Sequence, residues 1–312
     1  MPTSLPDYPF TPHRLEVRPG ISMAYLDEGP RDGEIVVMLH GNPSWSYYWR
    51  HLVLGLRDPA SGKAYRCIVP DHVGMGLSDK PDDGGGVRPP RAVGRYDYTL
   101  RSRVEDLATL LDALGVTGPV TLAVHDWGGM VGIGWALRHL PQVRRLVILN
   151  TAAFPLPAAK AMPWQLALGR DSRIGGWLIR HFNLFARGAA WFGTTRRLPA
   201  AVRRAYTAPY AGWENALATL RFMQDIPLRE GDPAWPLVAE AGRRLHEFAD
   251  RPVFIGWGLR DFVFDRHCLA AFTAALPRAE VHAFDDADHY VLEDKHAVLV
   301  PLVRDFLRRH PL

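Results

Sequence analysis

Short, unbroken apolar runs alternate with longer stretches of helical periodicity along most of the chain. Four runs of five or six residues precede residue 151, at 34–39, 65–69, 120–124 and 145–149. Because polar residues do not alternate within them, these runs are typical of strands that are buried on both faces of a sheet. Helical patterns at 100–114 and 128–140 separate the later runs, and such alternation predicts a parallel sheet with right-handed crossovers.

The same pattern resumes near the end of the chain. It predicts strands at 252–256 and 280–284, with helices at 266–276 and 296–308. Upstream of the first buried run, 14–17 and 22–27 are predicted to form a β-hairpin around Pro19-Gly20. A glycine- and proline-rich loop is expected at 82–90.

Residues 152–235 break this alternation. They contain no strand-like run and include five tryptophans: Trp164, Trp177, Trp191, Trp213 and Trp235. The chain has 312 residues, which exceeds an α/β core of about 200–250 residues by roughly this segment. We therefore predict a helical cap at 152–235, inserted after the fourth parallel-type strand of a core formed by 1–151 and 236–312. We expect this tryptophan-rich cap to line an apolar pocket.

Composition narrows the possible chemistry. The two cysteines, Cys67 and Cys268, are too few for a disulfide scaffold or a thiolate metal cluster. We therefore expect an enzyme that works with its own side chains, with no metal and no cofactor. The net charge of +4 comes mainly from arginines that are scattered in pairs, which argues against nucleic-acid binding. An arginine-rich rim would attract anionic partners or a membrane surface.

The start of the chain bears on location. The first eight residues show neither the basic segment nor the apolar run of a signal peptide. No apolar stretch approaches the ~20 residues of a membrane helix. We therefore expect a cytoplasmic protein that is at most peripheral to a membrane.

Chemically competent side chains follow the predicted strands, where parallel sheets bind their ligands. Asp126 follows the third run within Val-His-Asp-Trp-Gly-Gly and directly precedes a predicted helix. This arrangement predicts a nucleophile elbow with aspartate in the place of serine. An ordinary helix N-cap is the alternative interpretation of the same residue.

Two more strand ends complete a candidate triad. Asp261 follows the fifth run after one short turn, and His289 follows the last one. The order nucleophile, acid, histidine is that of α/β-hydrolase enzymes. Three neighbouring carboxylates compete with Asp261 for the role of the acid: Asp265, Asp286 and Asp288.

An aspartate nucleophile changes the reaction class, because a carboxylate is ionised at neutral pH and can form an ester without a base to activate it. His289, oriented by Asp261, would act as general base on water in the second half of the reaction. Serine-type esterase, lipase and peptidase activities are therefore disfavoured. Asn42 and Trp127 offer backbone and side-chain N–H groups that would stabilise a departing halide or an oxyanion.

The motifs resemble the aspartate-nucleophile branch of the α/β-hydrolase superfamily, and within it the haloalkane dehalogenases. The matching segments are HGNPSWSY at 40–47, DHVGMGLSDKP at 71–81 and HDWGG at 125–129, together with the segments around Asp261 and His289. The resemblance implies an α/β-hydrolase fold, Asp126 as nucleophile, His289 as base and Asp261 as acid. It also implies that Asn42 and Trp127 bind the leaving group.

A second resemblance concerns the substrate. Segments 6–12, 150–157, 221–228 and 289–296 are similar to the β-lactone decarboxylases of bacterial long-chain olefin biosynthesis. Those enzymes release carbon dioxide and a cis-alkene from a dialkyl β-lactone, in an assembly with a lactone synthetase and a reductase. The resemblance implies β-lactone decarboxylation, and haloalkane dehalogenation is the main alternative. An epoxide hydrolase with Tyr206 and Tyr210 as donors, and an inactive scaffold, are the remaining interpretations.

Overall fold

The computed structural model describes residues 5–58, 62–84 and 94–312. Residues 85–90 of the predicted glycine- and proline-rich loop lie outside the described residues. The strands are β1 (His13–Arg18), β2 (Ile21–Glu28), β3 (Glu34–Leu39), β4 (Tyr65–Pro70), β5 (Val120–Asp126), β6 (Val143–Thr151), β7 (Val253–Gly258) and β8 (Glu280–Phe284).

These strands form one sheet in the order β1-β2-β4-β3-β5-β6-β7-β8. β1 and β2 form the predicted antiparallel hairpin, and β2 pairs antiparallel with β4. All pairs from β4 through β3 to β8 are parallel. The mostly parallel α/β architecture predicted from the sequence is therefore confirmed.

Helices cover both faces of the sheet. They are α1 (Arg50–Arg57), α2 (Leu100–Ala113), α3 (Trp127–Ala136), α4 (Trp164–Asp171), α5 (Arg173–Phe182), α6 (Leu184–Phe192), α7 (Ala200–Thr207), α8 (Leu217–Gln224), α9 (Trp235–Arg244), α10 (Arg266–Ala275) and α11 (Val291–Arg309). Helices α4 to α9 all lie between β6, the fourth parallel strand, and β7. In the described part of the chain, no helix is long and apolar enough to cross a bilayer.

Burial explains the unbroken apolar runs. All seven residues of β5 and all six of β7 are buried, because helices cover both faces of these central strands. β8 lies at the edge of the sheet, and its residues are only partly buried or exposed. Because β3, β5, β6 and β7 are parallel neighbours, their carboxyl ends lie along the same edge of the sheet.

The closing helix is kinked near its start. α11 begins at Val291, directly after the segment that carries His289, but Lys295 has the non-helical angles φ −131° and ψ 15°. The predicted start at 296 therefore coincides with the continuous helix after this kink. Glu293 and Asp294 lie in the first turn of α11, where negative side chains interact favourably with the helix dipole. The Asp294 carboxylate also accepts backbone N–H groups from Thr195 and Asp288, which fixes the loop before the helix.

Candidate active site

Asp126 ends β5 and immediately precedes α3. Its φ of 51° and ψ of −127° are strained for a residue other than glycine, and its side chain makes no capping hydrogen bond to the helix. A Cβ on Gly128 would lie 2.1 Å from the backbone oxygen of Leu39, and one on Gly129 would lie 2.0 Å from Oγ1 of Thr151. Glycine at these two positions therefore lets α3 pack directly against the strand ends. The sharp turn has the geometry of an elbow, with Asp126 at its corner.

The imidazole of His289 lies between two buried carboxylates. Its Nδ1 is 2.9 Å from Oδ2 of Asp261, and its Nε2 is 3.6 Å from Oδ2 of Asp126. The relative exposures of these three residues are between 2% and 7%. The structure therefore brings together the three residues that sequence reasoning selected from separate strand ends.

The competing carboxylates are engaged elsewhere. Asp265 pairs with Lys160, and Asp286 forms an exposed ion pair with Lys295. Asp288 accepts the backbone N–H of His289 rather than its ring N–H. Among the four candidates for the acid, Asp261 is the one that holds the imidazole.

Sequence reasoning missed Asn150, which orients Asp261. The Nδ2 of Asn150 donates to Oδ2 of Asp261 at 3.0 Å, while its Oδ1 accepts the backbone N–H of Gly258 at 2.8 Å. The backbone N–H of Val263 holds the other oxygen of Asp261 at 2.7 Å. A fully buried polar residue at the end of β6 was the available signal, but its partner lies 111 residues further along the chain.

The two oxygens of Asp126 have different surroundings. Oδ1 accepts the backbone N–H of Asn42 at 2.6 Å, and the backbone N–H of Trp127 also binds this carboxylate. Oδ2 faces His289. The side-chain amide of Asn42 donates to the carbonyl of Thr219 in α8 at 2.9 Å, so α8 fixes the orientation of this amide. The second N–H of the same nitrogen is left for another acceptor.

The pKa values of the two aspartates are shifted in opposite directions. Burial raises the pKa of Asp126, although His289 and the two backbone N–H groups act in the opposite direction. Burial also acts to raise the pKa of Asp261, but the charge and hydrogen bond of His289 lower it overall. Desolvation would lower the pKa of His289, yet Asp261 and then Asp126 raise it to about 9. At neutral pH His289 is therefore protonated, and its imidazolium lies between Asp126 and Asp261.

A cavity of about 720 Å³ opens beside Asp126 and His289. Its wall is mainly apolar and comes from both the strand ends and the segment between β6 and β7, with Phe154, Leu166, Ile179 and Met223 as examples. Volume and lining suit a ligand with alkyl groups. Asn42 and Trp127 also line it, next to the carboxylate.

The tryptophans of residues 152–235 contribute little to the wall of the cavity. Trp164 lines the cavity, whereas Trp177, Trp191 and Trp213 lie on the outer surface and Trp235 is not part of the wall. α4 to α6 are short amphipathic helices that turn aliphatic side chains inward. The indole rings of Trp177 in α5 and Trp191 in α6 remain on the outside.

Tyr206 and Tyr210 are not available as donors to a substrate. The hydroxyl of Tyr206 donates to the Glu293 carboxylate, and that of Tyr210 donates to the Ser44 carbonyl at 2.7 Å. Both rings are buried, and neither lines the cavity. This geometry disfavours the epoxide-hydrolase interpretation.

Comparison with known proteins identifies the family of this chain. The sequence pattern of the α/β hydrolase fold matches residues 34–296. The chain belongs to the α/β hydrolase family. This α/β hydrolase is 67% identical over 307 residues to a cis-3-alkyl-4-alkyloxetan-2-one decarboxylase of Xanthomonas campestris pv. campestris, covering 98% of this chain and 99% of the relative.

A second relative and a solved structure are also similar to this chain. A relative with the same decarboxylase name from Shewanella oneidensis is 47% identical, covering 96% of this hydrolase and 89% of the relative. Among solved structures, the haloalkane dehalogenase DbeA from Bradyrhizobium elkani superposes with a TM-score of 0.83 at 24% identity, covering 96% and 98% of the two chains. The second similarity concerns the fold alone.

Proposed function

We propose that this α/β hydrolase is a β-lactone decarboxylase that converts a cis-3,4-dialkyl-oxetan-2-one to a cis-alkene and carbon dioxide. The observation that carries the proposal is the 67% identity to a decarboxylase over 98% of the chain. Such coverage includes the segment between β6 and β7, which forms much of the cavity wall. The strand-end residues alone are equally suited to dehalogenation.

We propose Asp126 as the nucleophile. Its Oδ2 attacks the alkyl-bearing ring carbon that is bonded to the ring oxygen, not the carbonyl carbon. The bond between the attacked carbon and the ring oxygen breaks, and the ring oxygen departs as part of a carboxylate. The free N–H of the Asn42 amide and the indole N–H of Trp127 stabilise this carboxylate. Relief of ring strain helps the step, which leaves an Asp126 ester and a neighbouring free carboxylate on one substrate.

The second step needs no water. The carboxylate leaves as carbon dioxide, the electron pair of the broken carbon–carbon bond forms the alkene, and the Asp126 carboxylate is expelled. Attack from the face opposite the ring oxygen places the ester anti to the departing carboxylate. Anti elimination from this arrangement keeps the two alkyl groups on one side, so a cis-lactone yields a cis-alkene.

The surroundings of Asp126 suit it as a leaving group. Oδ1 accepts the backbone N–H of Asn42, the backbone N–H of Trp127 also stabilises the carboxylate, and the imidazolium of His289 lies 3.6 Å from Oδ2. Asp261 and Asn150 keep that imidazolium in place. In dehalogenation, by contrast, His289 would have to give up its proton and activate water against the ester.

We also propose that residues 152–235 act as a cap that encloses the alkyl groups. Both the strand ends and this segment line the cavity, and burial of an alkyl chain is worth about 0.8 kcal/mol per CH₂ group. A cytoplasmic location and an assembly with lactone-forming enzymes remain predictions.

Product analysis tests the proposal. The purified protein is incubated with a cis-dialkyl β-lactone and, separately, with a 1-bromoalkane, and alkene, carbon dioxide and bromide are measured. We expect alkene and carbon dioxide in equal amounts from the lactone, and no activity in the Asp126→Asn variant. Bromide release without alkene formation would replace decarboxylation with dehalogenation.

Isotope labelling tests the water-free second step. During many turnovers of the lactone in ¹⁸O-water, Asp126 is expected to remain unlabelled, because no water attacks its ester. Hydrolysis of the ester at its carbonyl would introduce ¹⁸O into the Asp126 side chain, which mass spectrometry of the corresponding peptide detects. A labelled Asp126 together with a β-hydroxy acid product would contradict the proposed elimination.

A further inference from the structure

Exposed apolar side chains are concentrated on one stretch of the chain. Thirteen large apolar residues are exposed in the described part of the chain, and nine of them lie within 164–213: Trp164, Leu168, Ile174, Trp177, Phe182, Leu184, Trp191, Phe192 and Trp213. Trp164 and Ile174 are each 70% exposed, and Phe192 is 74% exposed. We call this surface of helices α4 to α7 and the following turn the cap surface. Apolar exposure on this scale marks an interaction site.

The segment that forms the cap surface also has an excess of positive charge. Residues 164–213 contain eight arginines and one acidic residue, Asp171, whereas the other 262 residues contain 29 basic and 32 acidic side chains. Five of the eight arginines are exposed: Arg173, Arg187, Arg196, Arg197 and Arg204. The scattered arginines of the sequence are thus a local excess of positive charge on an otherwise slightly acidic protein.

Three arginines of this surface pack against two of its indole rings. The guanidinium of Arg180 lies 4.1 Å from the ring centre of Trp213. Those of Arg197 and Arg203 lie 4.0 and 4.2 Å from the ring centre of Trp191. Tryptophan is the residue that prefers the interface between water and the acyl region of a bilayer, while arginine binds phosphate groups.

The cap surface continues into the cavity. Trp164, Leu168, Leu184 and Phe192 are exposed and at the same time line the cavity beside Asp126. They therefore form the rim of its opening. An apolar ligand that enters through this rim passes the arginine-rich surface first.

We propose that the cap surface docks onto an anionic phospholipid bilayer, with the rim of the cavity at the lipid. The apolar side chains insert at the level of the headgroups, and the arginines bind phosphate. A second copy of the chain is a poorer occupant, because two surfaces with the same excess of arginines repel each other. Docking does not depend on the reaction. If the proposed function holds, docking would allow a dialkyl lactone dissolved in the bilayer to enter the cavity.

Vesicle flotation without substrate tests docking separately from turnover. The probes are vesicles of phosphatidylethanolamine with phosphatidylglycerol as the anionic component, and vesicles of phosphatidylcholine alone. At low ionic strength we expect flotation with the anionic vesicles, weak flotation with phosphatidylcholine, and a decrease as salt screens the charges. Tryptophan emission is expected to shift to the blue on binding. Failure of the wild-type protein to float with anionic vesicles would overturn the proposal.

Two pairs of variants separate a specific surface from overall charge. Arg173→Glu with Arg187→Glu is expected to weaken partitioning at least ~10-fold. Its control is Arg278→Glu with Arg308→Glu, which changes the net charge by the same amount. Both control residues are exposed and lie near the amino ends of the strands, at the edge of the sheet opposite to the cap surface. Ile174→Gln with Phe182→Gln is expected to abolish the blue shift, with Val281→Gln and Val298→Gln as the matched apolar control.

Each remaining outcome is decisive. Equal loss of flotation in the test and control variants would overturn the proposal in favour of nonspecific charge attraction. A dimer in light scattering that Ile174→Gln with Phe182→Gln disrupts, without flotation of the wild-type protein, would assign the surface to a second copy. Lipid binding with no lactone turnover would support docking and contradict the proposed function alone.

Discussion

The strand-end cluster and the cap surface carry different kinds of information. Asp126, Asp261 and His289 are buried, and backbone or side-chain hydrogen bonds fix each of them. On the cap surface, large apolar and cationic side chains face water on short helices. The same chain thus holds its reactive groups in fixed positions in the core, whereas the route to them crosses a surface whose side chains have few packing constraints.

The largest expected effect is that of Asp126→Asn. Removing the nucleophile should lower kcat at least ~10³-fold. The melting temperature should stay constant or rise, because burial raises the pKa of Asp126 and the ionised form therefore costs folding free energy at neutral pH.

Asp288→Asn is the matched control for Asp126→Asn, because Asp288 is a neighbouring carboxylate whose pKa burial raises to about 6. Steady-state kinetics and thermal melting measure both effects. Wild-type turnover in Asp126→Asn would remove the strand-end cluster from the chemistry.

The second effect concerns the pH dependence of His289. Because Asp261 and Asp126 raise its pKa to about 9, activity should fall as pH rises through this value and the imidazolium loses its charge. The acid limb should lie above the ordinary pKa of aspartate, because burial raises that of Asp126. As the groups are coupled, the profile reports apparent pKa values.

The His289→Gln variant isolates the alkaline limb. It should lose this limb and retain a rate that is lower by ~10²-fold. A wild-type rate that instead increases through the pKa near 9 would show that His289 acts as a base on water, as the dehalogenase alternative requires.

A smaller effect is expected for Asn150→Ala, which removes a hydrogen bond to Asp261 but leaves that of Val263. One such hydrogen bond is worth about 0.5–1.5 kcal/mol, so kcat should fall by a factor of about 2 to 13. The alkaline limb should also shift to lower pH, since a less well oriented Asp261 supports the imidazolium less. An unchanged pH profile would leave Asn150 with a purely structural role.

The smallest effect is expected on the cap surface itself. Ile174→Gln with Phe182→Gln should change the free energy of unfolding by less than about 0.5 kcal/mol per site, because both side chains are exposed. Turnover of a short, water-soluble lactone should stay unchanged.

Leu166→Ala is the matched contrast to these surface changes, because Leu166 is buried on the same group of helices. It should lower the free energy of unfolding by about 2–5 kcal/mol. Chemical denaturation measures both variants. Strong destabilisation by the surface pair would show that these side chains support the fold.

Much of the fold and of the candidate site follows from local sequence. The apolar runs at 34–39 and 280–284 coincide with β3 and β8. The short turn at 291–294, ahead of the kink at Lys295, was not predicted, because the contacts of Asp294 with Thr195 and Asp288 stabilise it and Thr195 is 99 residues away. The boundaries of the cap at 152 and 235 stay a prediction.

The sequence by itself determined that an aspartate, a second aspartate and a histidine follow strands of one parallel sheet, because hydrophobic periodicity and chain order are local properties. Only the tertiary structure decided that Asn150 supports Asp261, that Tyr206 and Tyr210 are occupied, and that most cap tryptophans face outward. These outcomes depend on which side chains meet across distant parts of the chain, and on the side of a short helix that packs against the core. Periodicity alone contains neither kind of information.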